Sequence, residues 1–541
     1  MTKKVIVSLK KFLRPTSVVF VLCLLLLTLS LYLTHQLWSY NSDDVSWQTI
    51  LLTWNAFNGH VAYMGANDNF LANVPFFILF SHIFPMDRTT LFIEAALFAA
   101  INFTLFYLAG LYFLKRCKIR ISYYSLMPFL WLSSFGFGFG QLFLNTDWRD
   151  FEAGVSFIYF MLVSKIYFDD VRPLRSWPSR LLTGLTCPIT GLFMYSDPYF
   201  LYFTIVPIVA LFFLLFMMKK VSRQLFLVIM SSALLGIVLA RVIAYGATKA
   251  GLLIPAGNGI VLSSLRSTIP NIGHALAGLL MVFGAASFDK PFLSVATASN
   301  VCDFVLVGFI LYCLYQSRPS RNMIDDKSSN PLALTGAFFA FLTLVIICAY
   351  TFSNVTVVDN YRYLFLAIFA CTLLLSLRSG MLEKGRHASM FVLVLATTLN
   401  IVTSYTGASS VHAEALTARP NAQNAALINT VRGLGLIKGY TNYWDGNINT
   451  YLSAGKIEFL PVGCSNGKTE PLNLLVDSSL FDRAATRSFF VEDRINNGAE
   501  PACNGRQVLT QFGIPSQELK VPNSNYTVFV YDYDIVTKMT E

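Results

Sequence analysis

The chain has 541 residues, 55% of them apolar and only 13% charged, with a mean hydropathy of +0.56. That balance excludes an ordinary soluble domain and points to a membrane protein. The net charge of +10 would suit a nucleic-acid binder, but the basic residues sit in short loops between apolar runs, so nucleic acid is not an expected partner.

In chain order, the first apolar run is TSVVFVLCLLLLTLSLYLTHQLW, about the length of ~20 residues that crosses a hydrocarbon core. No small-residue cleavage site follows it, so it reads as a retained anchor and not a removed signal peptide. Further runs near 89–114, 122–143, 151–168, 181–195, 200–218, 224–245, 299–316, 331–352, 361–377 and 388–405 bring the expected crossings to eleven. With the basic start MTKKVIVSLKKFLR inside, the loops that fall on the inner side carry 22 Lys and Arg. The opposing loops before residue 406 carry six: Arg88, Arg149, Lys249, Arg266, Lys290 and Arg362. This asymmetry orients the chain with its N-terminus in the cytoplasm.

Two further apolar stretches, 69–85 and 269–287, are expected to lie as short interfacial or re-entrant helices. If the first alone crossed, every later loop would change sides and the charge asymmetry would invert.

From about residue 406 the composition turns polar, with turn signals WDGN and SNG and a strand-like YTVFVYDYDIV. The expected fold is therefore an all-α polytopic membrane domain (1–405) with a small C-terminal α/β extracytoplasmic domain (406–541). Seven of the nine cysteines lie in or beside spans, and the tail holds only Cys464 and Cys503. An isolated pair in an oxidising compartment suits a single disulfide; two unrelated buried thiols are the bland alternative.

The ionisable side chains of the membrane half gather at one face. LWSYNSDDVSWQTI places Asp43 and Asp44 just after the first span, LNTDWRDFEAG supplies Asp147, Arg149, Asp150 and Glu152, MYSDPYF supplies Asp197, and VVDNYRYLF supplies Asp359, Arg362 and Tyr363. Any one cluster would be at home in the headgroup zone. Their recurrence where positive charge is scarce is what asks for a metal, a proton or a cationic transition state. Glycosyl transfer passes through an oxocarbenium-like state and needs a base for the incoming hydroxyl, while an arginine fork suits a departing phosphate.

The SDD after span one, the apolar re-entrant stretch, DWRDFE, SDPY and the late YRYL together resemble the C-type glycosyltransferase superfamily. The tail segments GYTNYWDGNINTYLSAGKIEFLPV, FFVED, QFGIP and FVYDYDI are similar to the extracytoplasmic tails of its bacterial members. The resemblance implies a polytopic inner-membrane enzyme that takes sugar from a polyprenyl-phosphate carrier on the outer face and passes it to a glycan acceptor. It implies a catalytic aspartate at Asp43 or Asp44, a phosphate contact at Arg362 beside Tyr363, and substrate-binding roles for Asp147, Arg149, Asp150, Glu152 and Asp197. Adjacent helical positions point about 100° apart, so only one of Asp43 and Asp44 would face the site squarely. Many relatives have a histidine or glutamate where this chain has RDFE. A divalent metal, Mg or Mn, held by Asp44, Asp150 and Glu152 stays an open option.

Other features have quieter readings. His60, His82 and His274 suit satisfied interfacial histidines, and SSFGFGFGQ suits close packing or a bent span end better than a phosphate loop. Lys249, Arg266 and Lys290 suit lipid headgroups. Trp444 and Asp445 suit either a sugar or the tail's own core. The competing function class is a lipid or glycan transporter or flippase without bond chemistry, which would need ionisable groups near mid-membrane or repeated halves.

Overall fold

A computed structural model describes residues 14–37, 45, 49, 64–65, 83–134, 150–169, 177–196, 200–249, 254–255, 262–283, 295–316, 331–353, 356, 364–381, 386–414, 420–465, 468–472, 476, 478–493 and 505–539. The described chain is mostly helical, with a small sheet region at the C-terminus. The membrane half contains α1 (Pro15–Leu37), α2 (Arg88–Arg116), α3 (Tyr123–Ser133), α4 (Asp150–Asp169), α5 (Trp177–Ser196), a π-helical turn (Leu201–Ile205) continuing into α6 (Val206–Met217), and α7 (Arg223–Lys249). It continues through α8 (Leu265–Val282), α9 (Val295–Gln316), α10 (Pro331–Thr351), α11 (Phe365–Ser379) and α12 (Arg386–Glu414). Two short strands, β1 (Met64–Gly65) and β2 (Ile254–Pro255), pair in parallel.

Three of these helices, at Pro15–His35, Arg88–Arg116 and Arg223–Lys249, are long and apolar enough by themselves to cross a membrane, and six shorter apolar helices accompany them. Helices are the expected form, because in hydrocarbon every backbone N–H and C=O must find its partner within the segment. The predicted segment 122–143 is helical over 123–133 only, ending at a cap on Ser134 just before the glycine-alternating run. The stretch expected to be interfacial at 269–287 is helical within α8, where the Asn271 amide donates to the carbonyls of Thr351 (3.0 Å) and Ser353 (3.3 Å).

The helices pack through aromatic clusters and close backbone approaches. Phe106 of α2 meets Phe129, Phe157 and Phe369, drawing α3, α4 and α11 around one buried centre. Between α5 and α7 a Cβ on Gly236 would come within 2.4 Å of the Thr190 side chain, so only glycine permits this spacing. Hydrogen bonds tie together helix ends that the charge asymmetry assigns to the same side. Arg88 Nη2 donates to His35 O (2.6 Å), and on the opposite side the Tyr124 hydroxyl meets His387 Nδ1 at 3.3 Å. The Ser376 hydroxyl donates to Ser125 O on that second side as well.

The C-terminal region contains α13 (Pro420–Gly433), β3 (Lys438–Thr441), α14 (Tyr443–Leu452), β4 (Glu458–Ser465), β5 (Lys468–Pro471), β6 (Ser488–Asp493), α15 (Gly505–Phe512), β7 (Gln517–Lys520) and β8 (Tyr526–Tyr531). One six-stranded mixed sheet runs in the order β5-β4-β3-β6-β8-β7. Its centre, β4-β3-β6, is parallel; β5, β7 and β8 pair antiparallel. WDGN, expected as a turn, lies inside α14 instead. The Asn442 side chain accepts from Asp445 N (3.0 Å) and caps the helix, and Asp445 sits in the first turn where the helix dipole favours a negative charge. Cys464 on β4 is disulfide-bonded, whereas Cys23, Cys117, Cys187, Cys302, Cys348 and Cys371 are free thiols; Cys503 lies outside the described residues.

The sheet encloses a buried ion pair. Lys438 Nζ lies 2.9 Å from Asp534 Oδ2, both side chains under 5% exposed. Asp534 also accepts from the Tyr440 hydroxyl (2.5 Å), Ala485 N (3.1 Å) and Val536 N (3.2 Å). Removing one partner of such a pair strands the other charge in the interior. We therefore expect Asp534→Ala to destabilise the sheet by about 3–5 kcal/mol, read as faster amide exchange of β3 and β8 in the full-length protein. Combining it with Lys438→Met should restore much of that protection; unchanged exchange in the single variant would contradict this account.

Candidate functional site

The site is best built from α2, whose start is fixed by its own cap: Thr90 N donates to Asp87 Oδ1 (2.9 Å) and the Thr90 hydroxyl to Pro85 O (2.6 Å). The Arg88 bond to His35 O brings the end of α1 to the start of α2. Within that loop Val45 and Thr49 form a helical turn, Thr49 N donating to Val45 O (2.9 Å). Val45 is fully buried in a small apolar cluster with Leu91 of α2 and Ile448 and Tyr451 of α14, flanked by Met86 and Leu452. The Thr49 hydroxyl lies 2.9 Å from Val45 O and 3.0 Å from Asn447 O of α14. Val45 and Thr49 are thus held between the helical bundle and the C-terminal sheet region. Asp43 and Asp44, which directly precede Val45, lie outside the described residues.

This junction is acidic. Glu94, in the second turn of α2, is 2% exposed, and both it and Asp87 bear on Tyr451. Burial first, and then these two carboxylates, push the Tyr451 hydroxyl well above the usual phenol range, so it stays a hydrogen-bond donor at any physiological pH. Glu94 was not anticipated from sequence; the only signal is a single carboxylate within the apolar LFIEAALF.

A second polar group lies where the order of the sheet reverses. The chain goes from β3 through α14 to β4 on one side, then returns to β6 on the other, leaving the carboxyl end of β3 at a switch point, where α/β sheets commonly take ligands. Trp444 is 39% exposed there, edge-on to Tyr443. Asp445 accepts from the Tyr526 hydroxyl (2.8 Å) and from Asn442 Nδ2 (2.7 Å). Trp444 is thus partly exposed at this point, while Asp445 is engaged within the fold.

The other predicted residues are placed as follows. Asp150 and Glu152 lie in the first turn of α4, which runs alongside α2 with Gly154 packed against Asn102 and Leu105. Asp147, Arg149, Asp197, Asp359, Arg362, Tyr363, His60, His82 and Lys290 lie outside the described residues. The π-helical turn at Leu201–Ile205 follows the SDPY motif closely and precedes Pro207, whose missing N–H favours a widened turn; such turns gather at functional sites. His274 lies within α8, and Lys249 ends α7 with its ammonium 5.7 Å from the Tyr245 ring. Among the described residues no group of three or more His, Cys, Asp or Glu is arranged to hold a metal ion.

Two buried polar side chains lie within the bundle: Asn102 was not anticipated from sequence, whereas Asp303 is expected from the sequence near a span end. Asn102 on α2 is 2% exposed and neither end of its amide makes a hydrogen bond among the described residues. Asp303 on α9 is fully buried beside Trp131, Asn400 and Ser299, yet neither carboxylate oxygen completes a hydrogen bond among the described residues. No family model, curated protein or solved structure matches this chain.

Burial pushes the Asp445 carboxyl up to about 6, with the Asp493 charge adding to the rise and the Tyr526 and Asn442 hydrogen bonds opposing it. A carboxyl whose folded value is raised binds its proton more tightly in the native state, so its stabilising contribution is complete below about pH 4. That contribution is lost as pH rises through about 6. Denaturation of the full-length protein followed between these limits should show stability falling with pH, and Asp445→Asn should flatten that slope. Equal slopes in the two proteins would contradict the assignment.

Proposed function

We propose that this protein is an integral-membrane glycosyltransferase acting on the outer face of the cytoplasmic membrane. Eleven crossings with an inner N-terminus bring residues 406–541 to that face. The single observation that supports the reading is the junction just described: Val45 and Thr49, which follow Asp43 and Asp44 in the sequence, contact both α2 and α14, at the bundle end assigned outward by charge, beside buried Glu94. A loop that merely decorated a span end would not need two domains to hold it.

The donor is a sugar on polyprenyl phosphate, its chain in the lipid and its phosphate on Arg362. Asp43 or Asp44 takes the proton from the acceptor hydroxyl, the oxygen attacks the anomeric carbon, and the bond to the phosphate oxygen breaks, releasing polyprenyl phosphate with inversion of configuration. The acceptor is a surface glycan, O-antigen or a related lipopolysaccharide or wall polymer, offered from the side of the C-terminal domain. Asp147, Arg149, Asp150, Glu152, Asp197 and Tyr363 line the substrates. If a divalent metal takes part, Asp44, Asp150 and Glu152 are the oxygen donors suited to it, and it would neutralise phosphate charge.

The second reading, a lipid or glycan transporter or flippase, is favoured by Asp303: a carboxylate buried among helices is what a transport pathway uses. The two readings separate in one experiment. Purified protein is given a panel of polyprenyl-phosphate sugars and candidate glycans, alongside Asp43→Asn and Asp44→Asn. The enzyme reading expects transfer by wild type and a loss of about 100-fold or more in the variant lacking the base, with lipid movement unaffected. No transfer by folded wild type, together with lipid movement that the variants abolish, would overturn it in favour of transport.

A further inference from the structure

Asp303 belongs to a polar group buried where α3, α9 and α12 meet. Ser299 and Asp303 stand four residues apart on α9 and so share one of its faces. Asn400 of α12 and Trp131 of α3 lie against that face, and none of the four residues is more than 4% exposed. The Ser299 hydroxyl donates to Asn400 Oδ1 (2.9 Å), which joins α9 to α12. Trp131 stacks on Phe283, with ring centroids 6.2 Å apart, and the stack holds its indole edge in place. Three atoms of the group complete no hydrogen bond among the described residues: both carboxylate oxygens of Asp303 and Trp131 Nε1. Nor does any Lys, Arg or His among the described residues bear on the carboxylate. The basic residues of the helices packed around it sit at helix ends: Arg378 in the last turn of α11, and Arg386 and His387 at the start of α12, about 21 Å along that helix from Asn400. His387 meets Tyr124 of α3. Of the thiols, Cys302 adjoins Asp303 on α9, and Cys371 of α11 faces Thr343 of α10 at 3.8 Å.

We propose that this group is a binding site for one small monovalent cation, a sodium ion or a proton, held on Asp303 and fastening α9 to α12. A carboxylate shut away from water without an opposite charge costs more free energy than packing returns, so a positive charge must reach it. A single carboxylate calls for a single positive charge. A divalent ion would need further acidic ligands, and among the described residues no group of three or more His, Cys, Asp or Glu is gathered to supply them. An anion would be repelled. The donors suit either cation: the Asp303 oxygens, Ser299 Oγ and Asn400 Oδ1 are hard oxygen ligands for sodium. A proton on one carboxyl oxygen turns that oxygen into a donor toward Asn400 Oδ1, and the other oxygen accepts from Trp131 Nε1. Ionisable groups placed in this way among apolar helices serve ion and proton sites. Such a site is compatible with an enzyme and with a transporter alike, so its test needs neither sugar transfer nor lipid movement.

The test uses the full-length protein in lipid nanodiscs and compares wild type, Asp303→Asn and Ser299→Ala. Two probes separate the cations: binding of radioactive sodium, competed by unlabelled sodium but not by choline, and infrared absorption of a carboxylic acid C=O at neutral pH. We expect wild type to give at least one of these signals and Asp303→Asn to lose it. If the cation is sodium, it should raise the unfolding temperature of wild type by a few degrees above equal choline, while Asp303→Asn unfolds at one temperature in both salts. Ser299→Ala keeps the carboxyl and should weaken sodium binding roughly fivefold to tenfold, the worth of one ligand contact, or displace the absorption of a protonated Asp303. Folded wild type with neither bound sodium nor a carboxylic acid band would overturn the proposal, since Asp303 would then be a bare anion. A sodium signal or band that persists unchanged in both variants would overturn it equally, by placing the cation elsewhere.

Discussion

The arrangement depends on one contact between distant parts of the chain. Val45, Leu91, Ile448 and Tyr451 join three separate segments: the loop after the first helix, the start of the second, and a helix of the C-terminal sheet region. Each fully buried aliphatic side chain in such a cluster contributes about 1.5–3 kcal/mol, enough together to dock a small domain against a bundle. The Thr49–Asn447 hydrogen bond adds direction to what apolar burial leaves free to slide.

The bundle beneath obeys a different rule. In hydrocarbon, apolar side chains gain nothing by preferring each other to lipid, so association rests on close packing and on internal polar bonds. Gly236 against Thr190 and the Phe106 cluster supply the packing, and the Asn271 bonds to Thr351 and Ser353 supply the second. Asp303 stands apart, because burying a carboxylate costs free energy unless neighbours such as Trp131, Asn400 and Ser299 bond it, and among the described residues neither of its oxygens completes such a bond.

Much of the helical half was legible in the sequence, and for a physical reason. A run of apolar residues such as 17–38 or 224–245 has no alternative to a helix once water is removed, and the helices Pro15–Leu37 and Arg223–Lys249 follow those limits closely. YTVFVYDYDIV is a strand over Tyr526–Tyr531, where its apolar and β-branched residues are buried in the sheet. WDGN misled, because Asn442 supplies a cap that converts turn-forming residues into the first turn of α14. Glu94 gives little sequence signal because one charge scarcely alters the hydropathy of a long apolar window, and Asp303, which the sequence places near a span end, is fully buried. Of the candidate site, the composition of the acidic loop was legible but its anchoring was not: nothing local in DVSWQT announces a partner at Asn447. Most of the predicted substrate residues, Arg362 among them, lie outside the described residues.

The claim that matters most is convergence: acidic loop, late arginine and lipid at one outward-facing groove. An experimental structure of the full chain in a lipid nanodisc, with a polyprenyl-phosphate sugar bound, measures it most directly. The account predicts that one sugar phosphate touches both Arg362 and a carboxylate of the Asp43–Asp44 pair, with its lipid chain lying in the bilayer. The account would be contradicted if those groups stood too far apart for a single sugar phosphate to bridge, or if the pair faced open solvent away from lipid.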